Sequence, residues 1–86
     1  MKTDLLTIPG VGKNIKCRLL ELGYTCVEDL IGADPERMYA QDNIAHGGGV
    51  DRCVLYVYRC GVYFAETKQP DPEKLKWWNW KDETKP

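Results

Sequence analysis

Gly10, Gly12 and Lys13, set in Ile8-Pro9-Gly10-Val11-Gly12-Lys13, are the residues whose types and spacing could do chemistry in this 86-residue chain, and the chemistry is anion binding. Two glycines flank one apolar residue, so the backbone is expected to take turn conformations that a Cβ would forbid and to leave room for a group approaching the amides. Pro9 stiffens the entry. Because a helical pattern resumes at Lys13, the N–H groups of Gly12, Lys13 and Asn14 are expected to be unpaired first-turn donors at the positive end of a helix. A phosphate oxygen placed there accepts backbone hydrogen bonds, close enough for the Lys13 ammonium to neutralise it.

No comparable arrangement points to catalysis. His46 is the single histidine; it has no second histidine or nucleophile pattern beside it, and reads as bonding the last carbonyls of a helix or facing water. Cys17, Cys26, Cys53 and Cys60 contain no C-x-x-C pair, which disfavours zinc, and in a reducing compartment they read as small core residues. Cys53 and Cys60 share a helical face but stand roughly 10 Å apart along its axis, too far for a disulfide. Gly47-Gly48-Gly49 lacks the frame of a nucleotide phosphate loop. A chain this short has no room for an enzyme cleft beside a core, so the protein is expected not to be an enzyme and to need no metal.

Charge weighs on the partner. A net charge of −1 and a pI near 5.8 are not the basic excess of a dedicated nucleic-acid binder. Residues 1–20, however, carry Lys2, Lys13, Lys16 and Arg18 against Asp4 alone, a local balance of +3 on an otherwise acidic body. Phosphate contact through such a patch would be weak and salt-sensitive. No apolar leader opens the chain and its longest apolar run, Cys53–Tyr58, is too short to span a bilayer, so a cytoplasmic location without membrane contact is expected.

The elements that must position the hairpin follow from punctuation and period. Thr3 is expected to cap a first short helix over Asp4, Leu5 and Leu6, ended by Pro9. A second runs from Lys13 to Leu22 with Ile15, Leu19 and Leu22 on its apolar face and Gly23 stopping it. Thr25-Cys26-Val27-Glu28 has the form of a capping box for a third helix, and Asp34-Pro35-Glu36 opens a fourth, to about Ala45, carrying Met38, Tyr39 and Ile44. Val50–Thr67 has strand-like residue types, but Arg52, Arg59 and Glu66 recur every seven residues and gather into one stripe only on a helix. That helix is otherwise apolar, so it is expected to be the central buried element, with Gly61 admitting a close neighbour. Its arginines could bind phosphate or pair with Asp51, Glu66 or the tail acids. Asp71-Pro72-Glu73 opens a last short helix. Trp77, Trp78 and Trp80, interleaved with Lys74, Lys76 and Lys81, read either as core packing, with Trp77 or Trp78 laid on the long helix, or as a stacking surface for single strands.

Leu5, Leu6 and the hairpin, with Ile15, Leu19 and Leu22 after it, resemble the helix-hairpin-helix module, in which h-P-G-h-G-K joins two short helices. The resemblance implies that Gly10, Val11, Gly12 and Lys13, with Lys16 as flanking charge, grip a DNA phosphate without reading bases, and it allows a monovalent cation among the hairpin carbonyls. The run Asp51–Cys60 and the segment Pro70–Lys81 are similar to the small bacterial pathogenicity-locus family of helix-hairpin-helix proteins, which adds no catalytic residue. The expectation is an all-α, tandem helix-hairpin-helix (SAM-like) single domain over 1–86 with about five helices. It comprises a hairpin pair at 3–22, a degenerate second pair at 25–45 without Gly-x-Gly, a central helix at 50–67, and a C-terminal helix with a tryptophan-rich tail at 71–86. The expected function is non-enzymatic, sequence-independent binding of the DNA backbone. The alternative is a protein-protein interaction module in which the hairpin is a structural connector.

Overall fold

Among the described residues three α-helices carry the fold: α1 (Lys13–Glu21), α2 (Pro35–Ala45) and α3 (Arg52–Glu66). A computed structural model describes residues 2–80, so Lys81 and the rest of the tail to 86 lie outside the described residues. The architecture is all-helical, with no strand among those residues, and forms one domain. The other three expected helices are single 3-10 turns, at Leu5–Thr7, Val27–Leu30 and Pro72–Leu75, and a fourth such turn covers Trp77–Trp80. Between their stop signals these segments are too short for the i to i−4 bonds that make α-helix worth nucleating.

Two caps differ from the sequence expectation. Asp4, not Thr3, caps the first turn, accepting from the Leu6 N–H at 2.9 Å. The Thr25–Glu28 capping box does not form. Thr25 turns to Asp29, its hydroxyl donating at 2.8 Å, while Glu28 receives both the N–H and the hydroxyl of Thr3, at 2.8 and 2.6 Å. A carboxylate that can tie down an incoming strand of chain outcompetes a local box, and Val27 N–H completes the clip by donating to the Thr3 carbonyl at 2.9 Å. These donors hold the Glu28 carboxyl down at about 2 from its ordinary 4.5. A depressed carboxylate stabilises the fold fully above its unfolded value and loses that effect as pH falls through the folded one. Glu28→Gln should therefore lower stability at neutral pH and flatten the acid limb of a denaturation series between pH 4.5 and about 2; an acid limb unchanged from wild type would count against the clip.

Asp34 caps α2 as its sequence context suggests, accepting from Glu36 N–H at 3.0 Å, and Asp51 caps α3, accepting from Cys53 N–H at 2.9 Å. α3 is the central element: Val54, Leu55, Val57, Tyr58, Cys60, Gly61 and Val62 are buried. Around it gather Leu5, Ile8, Val11, Leu19, Val27, Leu30 and Met38. Gly61 meets its close neighbours here, Leu30 and Ile8, whose methyls stand 3.6 and 3.7 Å from where a Cβ would be.

The polar stripe of α3 holds the fold. Arg52 lies over the Tyr39 ring, Arg59 pairs with Glu36 and donates to the Trp80 carbonyl at 2.8 Å, and Glu66 accepts from Gly32 N–H at 2.7 Å. Of the expected partners for the arginines, Asp51 and Asp71 cap their own turns and Glu66 takes the Gly32 N–H, while Asp82 and Glu83 lie outside the described residues. α2 carries Met38, Tyr39 and Ile44 as expected, with Ile44 on its outer face. Ile44 is 81% exposed, and the inward position one turn after Met38 belongs to Asp42. Cys26 and Cys60 are core residues as expected, whereas Cys17 and Cys53 are exposed because they fall on the outer faces of α1 and α3. Burial pushes the Cys60 thiol up to about 11, so it is protonated and unreactive at neutral pH.

Trp80 lies on α3: its ring sits 5.4 Å from that of Tyr63, and its indole N–H donates to the Lys74 carbonyl at 2.6 Å. Trp77 packs against the core beside Gly10 of the hairpin.

Candidate functional site

The hairpin is built from a 3-10 turn, a glycine in the left-handed region and a helix. Ile8 N–H donates to Leu5 O and Val11 N–H to Ile8 O, both at 3.1 Å, and Gly10 turns the chain with φ +88°. Gly12 then stands at the N-cap of α1. Only Gly10 needs to be glycine for its backbone. Gly12 has φ −101° and ψ −169°, open to any residue, and nothing lies within 4 Å of where its Cβ would be. What Gly12 contributes is the lack of a side chain, so α1 has no cap.

The five site residues expected from sequence fall in different places. The N–H groups of Gly10, Gly12 and Lys13, and of Asn14, make no hydrogen bond among the described residues, and Lys13 is exposed without an ion pair. Val11 points inward, 8% exposed, with its N–H already bonded. Lys16 is held by Asp4 at 3.1 Å, where the Leu6 N–H and then the Lys16 ammonium lower the Asp4 carboxyl below its usual range. Arg18 turns away to Asp42. Pairing of Arg18 with Asp42 takes one charge from the local positive patch of residues 1–20, and Lys13 is the cation left at the donors.

The same backbone pattern occurs twice. Val27–Leu30 repeats the 3-10 turn, Gly32 repeats the left-handed glycine with φ +82°, Ala33 N–H donates to Leu30 O at 3.0 Å as Val11 does to Ile8, and Asp34 takes the N-cap place of Gly12. The second copy is closed by the chain's own anions: Glu66 on the Gly32 N–H and Asp34 on the Glu36 N–H, while Pro35 has no N–H to offer. Carboxylates bond amides of the second copy, and among the described residues no group bonds the corresponding amides of the first.

Sequence reasoning missed a buried cluster. Asp42 is 1% exposed and accepts from the Tyr58 hydroxyl at 2.6 Å and from Arg18 at 2.8 Å. His46, the C-cap of α2, places Nδ1 2.8 Å from the same carboxylate, and Nε2 3.3 Å from Glu21. Burial, then the Asp42 carboxylate, raise the Tyr58 phenol far above its ordinary range and keep it a donor. The available signal was Asp42 sitting four residues after Met38, on a face that must be apolar unless a cation meets it. The cluster ties α1, α2 and α3 together.

Fold and site define a small all-helical domain with one bare, amide-lined hairpin and one closed copy of it. The chain belongs to the Cdd1 pathogenicity-locus family, whose model matches residues 1–86. It is 29% identical over 83 residues to a mitomycin resistance protein, McrB, of Streptomyces lavendulae, a match covering 96% of this chain and 75% of that protein. No solved structure matches the chain. Among the described residues no helix is long and apolar enough to cross a membrane.

Proposed function

We propose that this is a tandem helix-hairpin-helix protein that binds the DNA backbone, without enzymatic activity and without reading sequence, through the amides at Gly10, Gly12, Lys13 and Asn14 and the Lys13 ammonium. The observation that supports this is the contrast between the two hairpin copies: one holds carboxylates on its amides, the other leaves equivalent donors bare beside a lysine. Val11 supports the turn from the core, and Lys16 contributes its charge only where it exchanges Asp4 for a phosphate. With a single unpaired lysine at the donors, binding should be weak and strongly salt-dependent. A monovalent cation at the Ile8–Val11 carbonyls remains part of the helix-hairpin-helix reading.

The protein-interaction alternative draws on Ile31 and Ile44, 59% and 81% exposed. Titrating fluorescent duplexes from low to physiological salt separates the two. Lys13→Ala should weaken binding, reduce the slope of log K against log salt by about 0.9 for the lost duplex contact, and leave thermal melting unchanged. Wild type failing to bind at micromolar concentration in low salt, or an unchanged slope in the variant, would make the hairpin a connector.

A further inference from the structure

The three tryptophans of the tail have different surroundings. Trp80 packs on Tyr63 with the rings tilted at 44° and uses its indole N–H. Trp77 fills the space left by the absent side chain of Gly10: a Cβ there would stand 2.9 Å from the indole Cδ1. Trp78 meets Trp77 edge to face, ring centroids 5.7 Å apart at 85°, is 49% exposed, and its indole N–H makes no hydrogen bond among the described residues. One indole therefore separates Trp78 from the glycine of the bare hairpin. An exposed indole is apolar area left in water.

We propose that Trp78 is a base-stacking platform beside the hairpin, so that the protein takes single-stranded DNA in preference to continuous duplex. The proposal rests on the phosphate reading above. A strand gripped at one phosphate by the hairpin amides runs past Trp77 to Trp78, where an unpaired base can lie on the exposed ring; in a duplex every base face is already stacked and the ring gains nothing. Charge selects nucleic acid as the occupant: exposed Lys13 lies on the hairpin side and exposed Lys74 and Lys76 precede the tryptophans. Lys76 reaches only an exposed Glu73 at 3.3 Å, and an exposed pair of that kind exchanges readily for a phosphate. Stacking on an aromatic side chain is sequence-tolerant, because every base has a π-face.

Fluorescence anisotropy with an oligo-thymidine strand and a duplex of equal length tests this in wild type, Trp78→Ala, Trp78→Phe and Lys13→Ala, with each fold checked by thermal melting. Trp78→Ala should weaken single-strand binding about tenfold or more with its salt slope unchanged, leave duplex binding as it was, and be largely rescued by Trp78→Phe. Lys13→Ala should weaken both substrates and lower both slopes. Stacking is overturned, with the phosphate reading intact, if Trp78→Ala binds the single strand as wild type does, or loses both substrates equally, while Lys13→Ala still weakens both. Failure of wild type to bind either substrate overturns the two readings together and leaves Trp78 to a protein partner.

Discussion

Arg18→Met should lower the unfolding free energy by about 3 kcal/mol, measured by urea denaturation at neutral pH. Methionine keeps the apolar stem of the side chain and removes the guanidinium, leaving Asp42, 1% exposed, without its permanent cation. Breaking a buried pair from one side costs about 3–5 kcal/mol, and the lower end applies because His46 and Tyr58 still face the carboxylate. Against a domain stability of about 5–15 kcal/mol this is a large fraction. Adding Asp42→Asn removes the stranded charge, so the double variant should be less destabilised than the sum of the singles. Additive effects would show that the pair is not coupled. Because Arg18 is turned toward Asp42 and away from the hairpin donors, the folded single variant should keep its DNA affinity.

Truncation after Gln69 should have the other large effect. It removes Trp77 from the hairpin, Trp80 from Tyr63, the carbonyls of Lys74 and Leu75 near the Cys60 thiol, and the Trp80 carbonyl that receives Arg59. Losing a core tryptophan side chain alone costs about 3–5 kcal/mol; Trp77 and Trp80 are each half-buried, and together they should bring the loss into that range. The truncated chain should melt far below the full chain. Equal melting temperatures would mean that the tail rests on a fold complete without it.

The helices α1, α2 and α3 were legible in the sequence because each is long enough to show its period, and because Asp34-Pro35 and the seven-residue spacing of Arg52, Arg59 and Glu66 are signals local to the chain. The hairpin donors were legible for the same reason. The partners of Glu28, Asp42 and Glu66 were not, since each reaches across the sequence, to Thr3, to Arg18 and Tyr58, and to Gly32. Local rules assigned Glu28 to a capping box and counted Arg18 in the positive patch at the hairpin; tertiary pairing redirected both. The tail tryptophans were visible as a cluster, but a one-residue difference in position decides which is packed and which is exposed, and that depends on Gly10 lacking a side chain.

The central claim is that bare amides at the start of α1 receive a phosphate, and Gly12→Asp tests it most directly. The second copy already has aspartate at this place, in Asp34, with the Glu36 N–H bonded to it. At position 12 the backbone is extended and the space for a side chain is empty, so aspartate should cap α1 without strain. Stability should hold or rise by a few tenths of a kcal/mol, since aspartate is slightly the better N-cap. DNA binding at low salt should be lost, because the new carboxylate occupies the donors and repels phosphate, while Gly12→Ala should bind nearly as wild type does. A Gly12→Asp protein that melts no lower than wild type and no longer binds DNA is the predicted result. One that binds with wild-type affinity and salt slope would contradict the account.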